Sequence, residues 1–211
     1  MNNEFLSKVF KWFGLGLLVT FLVAYAVSIN ESLLQLIFSS GATIIIVILE
    51  LVCAIWLSVR IHKMQTSTAT MLYLGYTALT GLTFSSIFIL YELESIIWIF
   101  LATAILFGIL SLIGAKTKIN LSGLGVFLII GLLAIIIISI INMFLLNNTI
   151  DLALCIISIV IFMGYVAYDV QKICRINTNN DNIAIIAAFD IYLDFINIFI
   201  RLLQLFGKNR D

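Results

Sequence analysis

The residues with chemistry to offer lie where apolar sequence accommodates them least. In the last apolar stretch, Ala184 to Phe206, Asp190, Asp194, Asn197 and Arg201 recur at steps of four, three and four. On a helix those steps stack side chains along one face. Glu50 lies inside another apolar run, and Asp169 closes a third. Clustered carboxylates can bind a hard cation such as Ca²⁺, which takes oxygen ligands. Two that approach each other can share a proton, because both do not ionise readily and the pair titrates as a unit. An arginine nearby pulls the other way and favours the charged form. The chemistry on offer is a cation path with a proton-sensitive latch.

The surrounding chain makes these acids costly. Its 211 residues are 63% hydrophobic and 10% charged, whereas soluble domains carry about 25% charged residues. This is the composition of a multi-pass membrane protein. A charge at the bilayer centre costs about 2.5–3.5 kcal/mol on insertion scales, so two acids on one helix require partners, protons, ions or water. A formal net charge of zero gives no electrostatic basis for nucleic-acid binding. There is no proline, so any kink must come from glycine or local helix distortion. The polar start, Met1 to Lys8, precedes an apolar run too long for a signal-peptide core, and the run reads as a retained first span. Cys53, Cys155 and Cys174 have no CxxC spacing. They read as free thiols acting as small hydrophobes, not as a metal site.

A bilayer is crossed by about 20 apolar residues in a helix. Seven segments qualify: Trp12–Ile29, Ile37–Val59, Ala69–Tyr91, Ile96–Ala115, Gly123–Phe144, Leu152–Val170 and Ala184–Phe206. Their continuity favours helices over alternating barrel strands. The expected fold is an all-α seven-transmembrane-helix bundle, one domain over residues 1–211. Lys8 and Lys11 precede the first span, Arg60 and Lys63 follow the second, Lys116 and Lys118 the fourth, Lys172 and Arg175 the sixth. The alternate loops carry Glu31, then Glu92 and Glu94, then Asp151. This alternation places the N-terminus in the cytoplasm. Lys208 and Arg210 conflict with it if the last helix crosses fully. The fourth, fifth and sixth spans read as lipid-facing walls. The third is rich in small and hydroxyl residues, from Tyr73 through Thr77, Thr80 and Thr83 to Ser86, as a packing helix or a polar path would be.

Glu50 lies ten residues before Arg60, about 15 Å of helix axis, which puts it near the midplane. Asp194, ten residues beyond Ala184, reaches a similar depth. Asp169 is expected in the last turn of the sixth helix, with Asp190 one turn shallower than Asp194. Carboxylates from three helices can therefore meet if the second, sixth and seventh spans are neighbours, with Arg60 the nearest cation. Blander readings exist for each. Glu50 and Asn197 can be interhelical hydrogen-bonders, Asp169 an interfacial group, Arg201 a snorkelling anchor and His62 a loop residue.

Three motifs carry a resemblance. Gly75-Tyr-Thr-Ala-Leu-Thr-Gly81 on the third span, Tyr168-Asp169-Val-Gln171-Lys172 ending the sixth, and Tyr192-Leu-Asp194-Phe-Ile-Asn197 with Leu205-Phe-Gly207 on the seventh resemble the Bax inhibitor-1 (transmembrane Bax-inhibitor-motif) family. The likeness covers essentially the whole chain. It implies a seven-helix bundle with the C-terminal helix at its centre. It also implies a pH-sensitive calcium leak controlled by an aspartate pair, which an arginine of the second helix bonds when closed. Carried over, the pair is Asp169 and Asp194, the latch arginine is Arg60, and Glu50 is an acid of the ion path. Asp190, at a position where some members carry Asp and others do not, and Asn197 are further candidates for the ion path. Glu50, Asp169 and Asp194 become candidate calcium ligands, with Ca²⁺ the permeating ion and no resident cofactor. Val170 stands where many members carry Thr.

A non-enzymatic calcium leak gated by protonation is the expected function, in contact with the lipid bilayer, Ca²⁺ and protons. A proton-coupled cation transporter would use the same acids, but no internal repeat or glycine–proline break is evident. An intramembrane aspartic protease would also use a shared-proton dyad. It would require a GxGD motif and a Pro-Ala-Leu motif, both missing here. A short N-terminus without targeting features fits a bacterial inner membrane.

Overall fold

The computed structural model describes residues 2–38 and 41–210, apart from the side chain of His62. The described helices are α1 (Asn3–Ser28), α2 (Glu31–Phe38), α3 (Ala42–Arg60), α4 (Thr66–Phe84), α5 (Ile87–Leu90), α6 (Leu93–Lys116), α7 (Ser122–Leu145), α8 (Asn148–Arg175) and α9 (Asp181–Phe206). Seven segments are long and apolar enough to cross a membrane, with α4 and α5 together forming the third, Thr66–Leu90. The protein is an all-α membrane bundle with seven spans.

Local chemistry moves several boundaries from those expected. The second span begins at Ala42, not Ile37. Gly41 takes a left-handed φ of 98°, a conformation that glycine adopts without steric cost, and α2 is a separate helix before it. Thr43 Oγ1 donates to the Ile37 carbonyl at 2.7 Å across this break. The third span is interrupted after Phe84. Thr83, Ser85 and Ser86 each donate to the carbonyl three residues back, at 2.9, 2.6 and 2.9 Å. Hydroxyl back-bonding of this kind bends helices, and it does so here in a chain without proline. The sixth span runs on to Arg175. Its polar end is helix, with Lys172 and Arg175 in the last turn, where cations complement the helix dipole.

The chain divides into two compact units. The first takes the chain through Leu93, the α9 half from Asn177 to Tyr192, and the tail from Asn209. In it α1 packs along α4. Tyr73 places its hydroxyl over Gly16 and donates to the Trp12 carbonyl at 2.8 Å. Gly81 faces Val23 and the Thr20 backbone, where a Cβ would come within 2.8 Å of the Thr20 oxygen. Thr77, Thr80 and Thr83 of α4 donate to carbonyls of their own helix at 3.0, 3.1 and 2.9 Å. At the N-terminal end, Lys8 pairs with Asp181 at 2.8 Å and Asn2 donates to Thr178 and Asn179. Asn182, buried, donates to the carbonyls of Ile61 and Met64 at 3.1 and 2.7 Å.

The second unit comprises Glu94–Ile176 and Leu193–Lys208. Here α8 is not the lipid wall expected of the sixth span, since it buries Ser158, Asp169 and Gln171 among its apolar residues. The span most open to lipid is α3, with only Ile46 and Leu57 buried. Gly114 of α6 lets the backbone of Ala167 approach so closely that a methyl group there would overlap it. Asn147 caps α8 by accepting from Thr149 and Ile150.

α9 is the most enclosed span. Of its most apolar window 61% is buried, against 6–33% for the other six. After it, Arg210 N donates to the Leu90 carbonyl at 2.9 Å, and Tyr91 and Asn209 form an isolated bridge. Lys208 N donates to Ser95 Oγ at 3.0 Å. The tail therefore meets the acidic connection that follows the third span.

Candidate functional site

In the second unit, the motif Tyr168-Asp169-Val170-Gln171 is held from both sides. The Tyr168 side chain packs over Gly125 of α7, where a Cβ would lie within 3 Å of two ring carbons and the hydroxyl oxygen. Gln171 clamps the loop between α6 and α7: its Nε2 donates to Ile119 O at 2.8 Å and its Oε1 accepts from Leu121 N at 2.9 Å. Arg175 adds a bond to Asn120 at 2.9 Å. With its neighbours fixed, Asp169 is held in the interior, 8% exposed. It stands six residues inside the end of α8, about 9 Å of axis. It is therefore not in the last turn.

Asp194 is 4% exposed and lies near the middle of α9. Its neighbour Phe195 packs edge-on against Phe100 and Phe107 of α6, with ring centroids 5.4 and 5.7 Å apart. These contacts fix the rotation of this half of the helix. Tyr165 sits one turn before Asp169 on α8, within electrostatic reach of both carboxylates. It borders the site, and the acids alone do not point to it in the sequence. A tyrosine in an apolar run has no signal of its own, but its i−4 spacing from Asp169 was available.

Asn197 does not bridge helices as expected. Its Nδ2 donates to the Leu193 carbonyl of its own helix at 2.7 Å. Arg201 turns to Gln204 at 2.9 Å, and its carbonyl accepts from Cys155 Sγ at 3.3 Å.

In the first unit, Glu50 is half-buried at the middle of α3 and meets Thr83 Oγ1 at 3.1 Å. Asp190 is half-buried on α9. Arg60, the last residue of α3, is exposed, and its guanidinium makes no hydrogen bond or ion pair among the described residues. No three His, Cys, Asp or Glu side chains among the described residues are grouped to hold a metal ion. Glu50 takes Thr83 as its partner.

The chain is similar to known proteins along its whole length. A sequence profile of the family described as "Inhibitor of apoptosis-promoting Bax1" matches residues 2–211. A protein of Borreliella burgdorferi is 39% identical, aligned over 100% of this chain and 94% of its own. The inner membrane protein YbhL of Escherichia coli is 38% identical over 99% of this chain and 93% of its own. A protein of Rickettsia prowazekii is 35% identical, with 99% and 91% covered.

Proposed function

The chain belongs to the Bax inhibitor-1 family of multi-pass membrane proteins, and from that premise we propose that it is a passive calcium leak gated by protons at Asp169 and Asp194. The observation that carries this reading is the burial of both acids, one on α8 and one on α9, within one unit. Two carboxylates so enclosed hold one proton more readily than two charges. Loss of that proton changes the charge at the site and with it the packing of α8 against α9. Arg60 is the cation proposed to engage the pair in a latched state. Glu50, Asp190 and Asn197 are proposed to lie along the ion path. Ca²⁺ passes as a permeating ion, so transient contact with successive oxygens replaces a fixed cage.

The proposed location is a bacterial inner membrane with the N-terminus in the cytoplasm. The alternation of basic and acidic loops supports it, and likeness to the inner membrane protein YbhL of Escherichia coli supports the membrane. The test is calcium flux into proteoliposomes across a pH series. Asp194→Asn and Asp169→Asn are expected to flatten the pH response while the protein stays folded. An unchanged response in Asp194→Asn would sink the proposal. Saturable flux driven uphill by a proton gradient would identify an exchanger instead.

A further inference from the structure

We propose that the second unit binds an anionic phospholipid where α6 and α8 end, with Lys116, Lys118 and Arg175 holding the headgroup phosphate and Ile119 entering the bilayer beside it. The loop that carries these groups is fixed by its own bonds. Ile119 N donates to Thr117 Oγ1 at 3.3 Å, and the Ile119 carbonyl accepts from Gln171 at 2.8 Å. Asn120 Oδ1 accepts from Ser122 N and Ser122 Oγ at 3.2 and 2.8 Å, and from Arg175 Nη1 at 2.9 Å. That last bond orients the Arg175 guanidinium. Arg175 is exposed, and its guanidinium makes no other bond among the described residues. A guanidinium has five N–H donors in a rigid fork that matches phosphate, so Arg175 is positioned with most of its donors open.

Charge in this unit is sorted by end. Its acids are Glu94, Asp151, Asp169 and Asp194, and the two central aspartates are buried. Glu94 and Asp151 lie in the first turns of α6 and α8. Those helices are about 36 and 42 Å long, so these acids stand far from Lys116 and Arg175 in the last turns. Gly114 and the Ala167 backbone bring the two basic ends side by side. Lys116, Lys118 and Arg175 are exposed and make no ion pair among the described residues. In the first unit, by contrast, Lys8 is matched by Glu4 and Asp181 at 4.0 and 2.8 Å.

Ile119 selects a lipid over a dissolved phosphate. It is 72% exposed, on a backbone held from both sides, and sits between Lys118 and Asn120. A phosphate in water makes no use of it. A phospholipid does, because its phosphate adjoins an apolar region that an isoleucine enters favourably. The loop also begins where the apolar length of α6 ends, which is the depth of the headgroups.

The experiment is native mass spectrometry of the full chain in detergent, titrated with dioleoyl phosphatidylglycerol, dioleoyl phosphatidylcholine or glycerol phosphate. The first phosphatidylglycerol is expected to bind more tightly than phosphatidylcholine. Lys118→Gln and Arg175→Gln should each lower that preference about fivefold, the usual effect of one cation at an anionic surface. Asn120→Ala keeps every charge and should lower it too, because the guanidinium loses its orientation. Lys11→Gln with Lys63→Gln removes two charges from the first unit and should leave the preference at wild type. Equal binding of the two lipids overturns the proposal. A loss in the Lys11/Lys63 variant as large as in Arg175→Gln also overturns it, since the attraction is then diffuse. Glycerol phosphate bound as tightly as phosphatidylglycerol refutes the lipid assignment. Should Arg175→Gln fail to fold, Lys118→Gln and Asn120→Ala decide, and a preference unchanged in both refutes the site.

Discussion

Thr20 Oγ1 and the Tyr192 hydroxyl lie 2.6 Å apart, deep in the first unit, and Thr20 also donates to the Thr77 carbonyl at 2.9 Å. One proton per hydroxyl fixes the direction. Thr20 donates to Thr77, so Tyr192 donates to Thr20. This pair joins α1, α4 and α9 through polar atoms that are all buried.

The direction predicts an order of damage. Tyr192→Phe removes a donor and strands nothing, at an expected cost of about 0.5–1.5 kcal/mol. Thr20→Val takes the acceptor from the Tyr192 hydroxyl and the donor from Thr77 O, and is expected to cost about 1–3 kcal/mol. Thermal unfolding midpoints in detergent give the order. If Tyr192→Phe is the more damaging, the assigned direction is wrong.

Glycines that look alike in sequence differ in what surrounds them. Gly114→Ala drives a methyl into the Ala167 backbone, which cannot yield as a side chain does, so α6 and α8 must part at a cost of about 1–3 kcal/mol. Gly75 opens the third-span motif, yet a Cβ there meets nothing within 4 Å. Gly75→Ala is expected to stabilise by about 0.5–1 kcal/mol by removing a flexible helix residue. Melting both variants beside the wild type checks the contrast, and equal losses would refute it.

The seven spans were legible because apolar length is a summed property that tolerates local error. What failed was local. Ile37 was counted into the second span because apolar residues continue across Gly41, while the break depends on one backbone dihedral. Lys172 and Arg175 read as following the sixth span, yet they continue α8, and Asp169 lies further from the helix end than the expected last turn. Asn197 was expected to reach another helix, but its amide found the Leu193 carbonyl first. Asp194 stood out because an acid in an apolar helix is costly enough to need a reason. Tyr165 did not, since an aromatic in the same place costs nothing.

Asn182 links the start of α9 to the turn that follows Arg60. Its two donated bonds, to Ile61 and Met64, hold that connection. Asn182→Ala is expected to cost about 1–3 kcal/mol, the usual penalty for stranding buried acceptors. Asn182→Asp should do no better, because a carboxylate has no hydrogen to offer. Hydrogen exchange across residues 61–65 is the sharper readout. Faster exchange in both variants is expected, and protection equal to wild type would contradict the tether.

The tail bonds carry a topological prediction. Lys208, Asn209 and Arg210 contact the Leu90–Ser95 connection, so they share its side of the membrane despite two positive charges. The positive-inside rule weighs basic residues near span ends, and the prediction is that backbone hydrogen bonding outweighs it. In a background with Cys53, Cys155 and Cys174 replaced, single cysteines at Lys208 and Glu94 should react with an impermeant maleimide from the same side. One at Lys63 should react only from the other. Labelling of Lys208→Cys together with Lys63→Cys would mean that α9 does not cross, and would remove the packing that buries Asp194.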